Sequence, residues 1–257
     1  MWKNMEGRKE KAGPAEGEVQ STSPEPDISS LAFSPEGRVL AGGASDNSIR
    51  LWGIGSREFS EKLEKHSGAV RALAFSADGK WLLSGGDDRR VVIWSITKTW
   101  QLKDDFDKKE FLKIDYKAIQ CYIGAKAIKS VAISRQGDTW AAGLEDGTII
   151  RGEHTTMRCS TLPDPSGGSQ HEANSEAKGP VLALRFSDDA SVLASMSRSP
   201  GVQLWDPSGH RMGFIQVHGA ATMMHLSQDG RTLVGGESGG ELNVWRLARL
   251  HFLPILL

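Results

Sequence analysis

The chain has 257 residues, 39% of them hydrophobic and 25% charged, which is enough for one sizeable core and ordinary for a globular protein. A formal net charge of −1 gives no global attraction to nucleic acid or to an anionic membrane, and two cysteines, Cys121 and Cys159, are too few for a disulfide scaffold. No stretch approaches the roughly 20 apolar residues of a membrane span, so the composition predicts a soluble, cytoplasmic protein with neither nucleic acid nor membrane as partner.

Residues 1–27 are rich in Glu, Lys, Pro, Gly and Ser, lack the apolar core of a secretory signal, and read as a disordered segment. From Ile28 a pattern begins that then recurs. "ISSLAFSPEGRVLAGGASDNSIRLW" (28–52) is followed by "VRALAFSADGKWLLSGGDDRRVVIW" (70–94) and "IKSVAISRQGDTWAAGLEDGTIIRG" (128–152). Two more copies are "VLALRFSDDASVLASMSRSPGVQLW" (181–205) and "ATMMHLSQDGRTLVGGESGGELNVW" (221–245). The copies end at Trp52, Trp94, Gly152, Trp205 and Trp245, spaced by 42, 58, 53 and 40 residues. Internal repetition at this period signals a repeat architecture.

Within each copy the apolar period is two, as in "VRALAFS", "KWLLSGG" and "VVIW", and turn residues such as Asp78-Gly79 and Asp229-Gly230 separate the runs. Three strands per copy, with room for a fourth, predict a four-stranded antiparallel unit. One twisted unit cannot cover both of its faces, so the units must stack around an axis.

In this the copies resemble the WD-repeat β-propeller family, and residues 66–94 come close to its consensus. The resemblance implies an all-β propeller with five recognisable blades over residues 28–250, followed by an apolar tail at 251–257. It also implies structural roles for His66, Ser84, Asp88 and Trp94 as a hydrogen-bonded chain that pairs buried polar atoms. The other copies keep parts of that set: Asp46 and Trp52; Asp146; Ser195 and Trp205; Trp245. Gly42 and Ala142 stand in place of the serine, Gly152 in place of a tryptophan, and Ser199 and Gly239 in place of the turn acid, so those blades are expected to be looser. His218 is one residue out of register as an incoming histidine.

Most rings of this family have seven blades, and five are visible here. The two long spacings exceed a 42-residue unit by 16 and 11 residues, too little to hide another blade. A compact five-bladed ring and an incomplete arc of a larger propeller both remain open. The tail "LARLHFLPILL" reads either as the last blade's outer strand, covering an edge, or as a frayed end. Residues 99–126, with Phe106, Phe111, Tyr116 and Tyr122, are expected to hold the second blade's outer strand plus an excursion, and 163–179 a polar loop.

Motifs that tempt an enzymatic reading do not assemble. "GESGG" (236–240) falls in the turn between a second and third strand, not at a strand-to-helix elbow. "GIGSRE" (53–58) has two of the three glycines of a dinucleotide fingerprint and no helix pattern after it. His154, Cys159 and His171 lack zinc-site spacing. No catalytic residue, metal site or cofactor is expected, and the chain reads as a non-catalytic scaffold for protein–protein contacts. The alternatives are a regulatory or sensor segment of a larger signalling protein and, less favoured, a propeller hydrolase.

In the family's topology the loops into each innermost strand share a face with the turns joining the second and third strands. The resemblance therefore implies partner-binding roles for Ser29, Arg71, Lys129, Leu182 and Thr222 at the channel mouth, with Arg89, Arg90 and Arg198 in or beside turns on that face. Five basic residues there suggest an acidic or phosphorylated peptide, which arginine reads bidentately.

Overall fold

The computed structural model describes residues 26–54, 59–102, 110–156, 158–162, 179–197, 201–216 and 221–247. Every regular element among them is a strand. The first sheet is β1 (Ile28–Phe33), β2 (Val39–Ala44), β3 (Ser48–Gly53) and β4 (Phe59–Glu64). The second is β5 (Val70–Phe75), β6 (Trp81–Gly86), β7 (Arg90–Leu102) and β8 (Glu110–Ile123). The third comprises β9 (Ile128–Ile133), β10 (Thr139–Leu144), β11 (Ile149–Glu153) and β12 (Cys159–Thr161), and the fourth β13 (Val181–Phe186), β14 (Leu193–Ser197), β15 (Gly201–Trp205) and β16 (Arg211–Gln216). The fifth has three strands among the described residues, β17 (Ala221–Leu226), β18 (Thr232–Glu237) and β19 (Leu242–Arg246). Each sheet is an antiparallel meander in chain order.

The period-two runs become these strands, and the serine that follows each innermost strand fixes the first turn. Ser76 Oγ donates to Asp78 at 2.6 Å and accepts from the Trp81 amide at 3.0 Å, while Gly79 takes the left-handed φ of +68° that an L side chain resists. Ser34, Ser134, Ser187 and Ser227 accept the equivalent amide in the other sheets. In the fourth sheet, hydrogen bonds from Ser187 and Ser191 hold the Asp189 carboxyl down to about 2.

The innermost strands β1, β5, β9, β13 and β17 follow one another, each packed against the next. Apolar layers fill the spaces between sheets. Val39, Ala41, Ile49 and Leu51 of the first sheet meet Leu82, Val92 and Trp94 of the second, with Leu73 and Phe75 packed against them. Leu83, Val91 and Ile93 then meet Ile128, Val131 and Trp140. The same alternation joins the third sheet to the fourth and the fourth to the fifth. At the two ends the series stops with apolar side chains in solvent, Leu31 and Phe33 on β1, and Met223, Leu242 and Val244 on the fifth sheet. Of the two arrangements the sequence allows, the structure is the open arc.

Within 99–126 the described residues, 99–102 and 110–123, continue β7 and β8 as one ladder, paired from Arg90↔Ile123 to Leu102↔Glu110. The excursion is thus an extension of the blade's own outer hairpin. Most of residues 1–27, most of the polar loop at 163–179 and the tail at 251–257 lie outside the described residues.

Candidate functional site

The second sheet carries a polar chain through its core. His66 Nδ1 lies 3.0 Å from both carboxylate oxygens of Asp88, His66 Nε2 lies 2.8 Å from Ser84 Oγ, and Trp94 Nε1 donates to Ser84 Oγ at 2.9 Å. An indole can only donate and a carboxylate only accept. The chain therefore runs one way for a neutral imidazole: Trp94 to Ser84, Ser84 to His66 Nε2, His66 Nδ1–H to Asp88. Burial pushes the imidazole below its ordinary value, against the pull of Asp88. Asp88 also accepts the amides of Ser67 and Arg90, which pins the incoming loop to the turn between β6 and β7.

Other sheets keep fragments of this arrangement. Trp205 Nε1 donates to Ser195 Oγ at 2.8 Å. In the first and fifth sheets glycine stands where Ser84 does, and the ring of the closing tryptophan packs over it. A Cβ on Gly42 would fall 2.7 Å from the Trp52 ring, and one on Gly235 2.9 Å from the Trp245 ring. The third sheet solves the loss of its tryptophan differently. Trp140 on β10 pairs in register with Gly152, and a Cβ on Gly152 would fall 2.2 Å from the Trp140 ring. The indole has moved one strand inward and fills the same layer, buried with Val91 and Ile93. The glycine opposite a tryptophan in "TWAAGLEDGTIIRG" is the signal that could have revealed this exchange. Asp46 and Asp146 cap their own turns, accepting from Ser48 at 3.1 Å and Thr148 at 3.0 Å.

In the first three sheets backbone bonds tie the incoming loop to the turn between second and third strands. Ser45 donates to Asp27, Asp87 to Ala69 and Glu145 to Ala127, all at 2.9–3.0 Å, so loops and turns form one face. On that face Asp87 is the centre, and sequence reasoning missed it. Its Oδ2 accepts from Arg71 Nε at 2.8 Å and Nη2 at 2.6 Å, and its Oδ1 from Lys129 Nζ at 3.3 Å. Glu145 lies 3.6 Å from the same ammonium. The Arg71 guanidinium beside Asp87 holds its carboxyl below the usual carboxylate range. Two cations thus face two carboxylates, and Lys129 links the second sheet to the third.

Ser29 has an internal role as well: its hydroxyl lies 2.5 Å from the Val70 carbonyl of the next sheet and 3.3 Å from the Gly43 carbonyl. Ser130, one repeat position further along its strand, donates to the matching carbonyl of Val181 at 2.8 Å. Leu182 is half-buried and packs against the cluster between the fourth and fifth sheets. Arg90 is half-buried at the start of β7. Thr222 belongs to β17, its side chain outside the described residues, as is Arg198 with Ser199 and His218.

Arg89 is exposed and adopts φ of +66° in the turn between β6 and β7. The matching positions are Asn47, Gly147 and Gly240, residue types that accept this conformation. An arginine therefore occupies a place that backbone sterics reserve for glycine or asparagine. Ser238 lies exposed in the fifth sheet's corresponding turn, Cys159 is exposed on β12, and His154 packs against Trp81 with ring centroids 4.2 Å apart and planes inclined by 52°. Among the described residues no group of three or more His, Cys, Asp or Glu is placed to hold a metal ion.

The family model described as WD domain, G-beta repeat matches residues 17–53 and 57–95. Periodic tryptophan protein 2 of Arabidopsis thaliana is 29% identical over 224 residues, which is 85% of this chain; the chain spans 22% of the length of that relative. Among solved structures, the β-propeller domain of Cps50 (Swd1) from Myceliophteria thermophila superposes with a TM-score of 0.69 at 17% identity, covering 93% of this chain and 71% of that one. WD-repeat propellers are in general scaffolds for protein–protein contacts. The two matched repeats, the His–Ser–Trp–Asp chain of the second sheet and the radial order of the meanders make residues 17–95 similar to WD repeats and give the chain a β-propeller fold.

Proposed function

We propose that this chain is a non-catalytic scaffold that holds a peptide or loop of a partner protein on the face formed by the incoming loops and the β6–β7 turn. The observation that carries the reading is Arg89. Left-handed backbone at a non-glycine residue costs on the order of 1 kcal/mol, and such strain is a reason to ask what the side chain is for. Here it sets a guanidinium on the face that also carries Arg71 and Lys129.

An acidic or phosphorylated segment is the chemistry this trio suits. It would have to compete with Asp87, which already engages Arg71 and Lys129, so Arg89 is the cation with which such a ligand would first bond. The low cysteine content supports a cytoplasmic setting. A second reading, a repeat segment of a larger signalling protein, is favoured by the length of the curated relative, of which the chain spans 22%.

The test is Arg89→Gly, compared with Ala190→Gly in a turn where Ala190 also has positive φ, at 54°. Both substitutions are expected to raise stability in urea by about 1 kcal/mol. Only Arg89→Gly should lower the recovery of partner proteins in affinity purification, and Arg71→Glu with Lys129→Glu should lower it further. Equal recovery by all baits would overturn the reading.

A further inference from the structure

In the first, second and fourth sheets the outermost strand carries one extra residue where it passes the closing tryptophan. The register steps from Leu51↔Glu61 to Trp52↔Phe59, from Ile93↔Gln120 to Trp94↔Ala118, and from Leu204↔Gly213 to Trp205↔Arg211. The bulged residues are thus Ser60, Ile119 and Met212. Among the described residues β4 and β16 have one residue beyond the bulge, Phe59 and Arg211. Strand β8 has nine, 110–118, in unbroken register with 94–102.

The neighbouring strand β6 begins at Trp81, opposite Ser95, and the Ile96 amide donates to the Lys80 carbonyl. Past that point β7 and β8 form a two-stranded arm, paired from Thr97↔Asp115 to Leu102↔Glu110. Two strands alone are marginal in water, and a free edge is a template for another strand. The arm leaves the opposite end of β7 from the turn that holds Arg89, so it does not depend on the peptide-binding face.

We infer that the outer edge of 110–118 pairs antiparallel with the same edge of a second copy of this chain, joining two arms as one four-stranded sheet. The register follows from the geometry. The regular segment lies between the bulge at Ile119 and the end of the ladder at Glu110, and its centre is Ile114. About that centre Lys113 stands opposite Asp115 of the second copy, and Asp115 opposite its Lys113, two opposite-charge pairs related by a twofold axis. At the alternate positions Ile114 meets Ile114 and Leu112 meets Tyr116. Centring the pairing on Lys113 or on Asp115 would oppose like charges, and centring it on Tyr116 would draw the bulge into the ladder. Within the arm Lys113 and Asp115 stand opposite Thr99 and Thr97, so its own ladder sets no opposite charge across from either. A lysine on an edge ordinarily deters pairing. Here an aspartate two positions on cancels that effect for one partner, an antiparallel copy.

The test is sedimentation of the full chain over a range of concentrations, with amide exchange followed in the same samples. A single strand edge is a small interface, so a reversible dimer in the micromolar range is expected. As it forms, exchange should slow at alternate residues of 110–118. Lys113→Glu and, separately, Asp115→Lys set like charges opposite at two places and should each weaken the dimer at least about tenfold. Lys113→Asp combined with Asp115→Lys should restore it, which the register about Ile114 allows and the other registers do not. Restoration also shows that the single substitutions had not unfolded the arm. Leu31→Glu with Phe33→Glu, at the open end of the arc, should leave the dimer unchanged. A chain that stays monomeric throughout the micromolar range overturns the proposal. So does self-association that ignores the single reversals, that the combined variant fails to restore, or that the Leu31 and Phe33 substitutions abolish.

Discussion

The second and fifth sheets share one sequence pattern and differ in what surrounds their closing tryptophans. Trp94 is 2% exposed, donates to Ser84, and has a neighbouring sheet on each side. Trp245 is half-buried over Gly235, and beyond its sheet Leu242 and Val244 face solvent. In the second sheet the indole closes a layer and completes a hydrogen-bonded chain, whereas in the fifth it contributes packing from one side. A repeat residue is therefore worth what its neighbours make it worth, and the same letter at the same position need not hold the structure equally.

The largest expected effect breaks that contrast directly. Trp94→Ala should cost about 3–5 kcal/mol in urea unfolding, as emptying a filled aromatic site does. Trp245→Ala should cost roughly half as much, since part of its surface is already wet. Equal losses would mean that the open end is packed as tightly as the interior.

The next comparison uses pH. Burial lowers the His66 proton affinity, so below the unfolded value of about 6.5 the unfolded chain binds a proton that the folded chain refuses. Stability from this group is complete above that value and declines as pH falls from about 7 toward 5. His66→Asn should be less stable at pH 7 and should flatten the decline across that window, as read by denaturation at each pH. An unchanged slope would show that the imidazole does not titrate with unfolding.

The smallest effect belongs to Asp87, whose contacts are half-exposed. Asp87→Asn should lower stability by about 0.2–1 kcal/mol, less at high salt. Its carboxyl sits below the ordinary value, so the contribution exists above about pH 4 and is lost as pH falls through the folded value. A loss as large as that of Trp94→Ala would show that the bridge from Lys129 to Asp87 joins the two sheets more firmly than an exposed ion pair can.

Much of the fold was legible because strands write themselves into sequence with a period of two, and because five copies repeat the same turn serine, four of them with the turn glycine and four with the closing tryptophan. The polar chain of the second sheet could be read for a related reason: its four residues all fall within one repeat, from His66 to Trp94. The site was less legible. Arg71 and Lys129 belong to different repeats, and nothing local says that Asp87 stands between them. Nor does the sequence show that Ser29 bonds across to Val70, or that Trp140 has taken over for the residue missing at Gly152.

The sequence by itself determined the strands, their order within each sheet and the stacking of sheets, since alternation, turn chemistry and repetition act over a few residues at a time. Only the tertiary structure decided which charges neutralise one another, which tryptophan fills which layer, and that the ring stays open between β1 and β19. Those outcomes depend on distances between residues far apart in the chain, and such distances are set by how successive sheets rotate and pack, not by any local pattern.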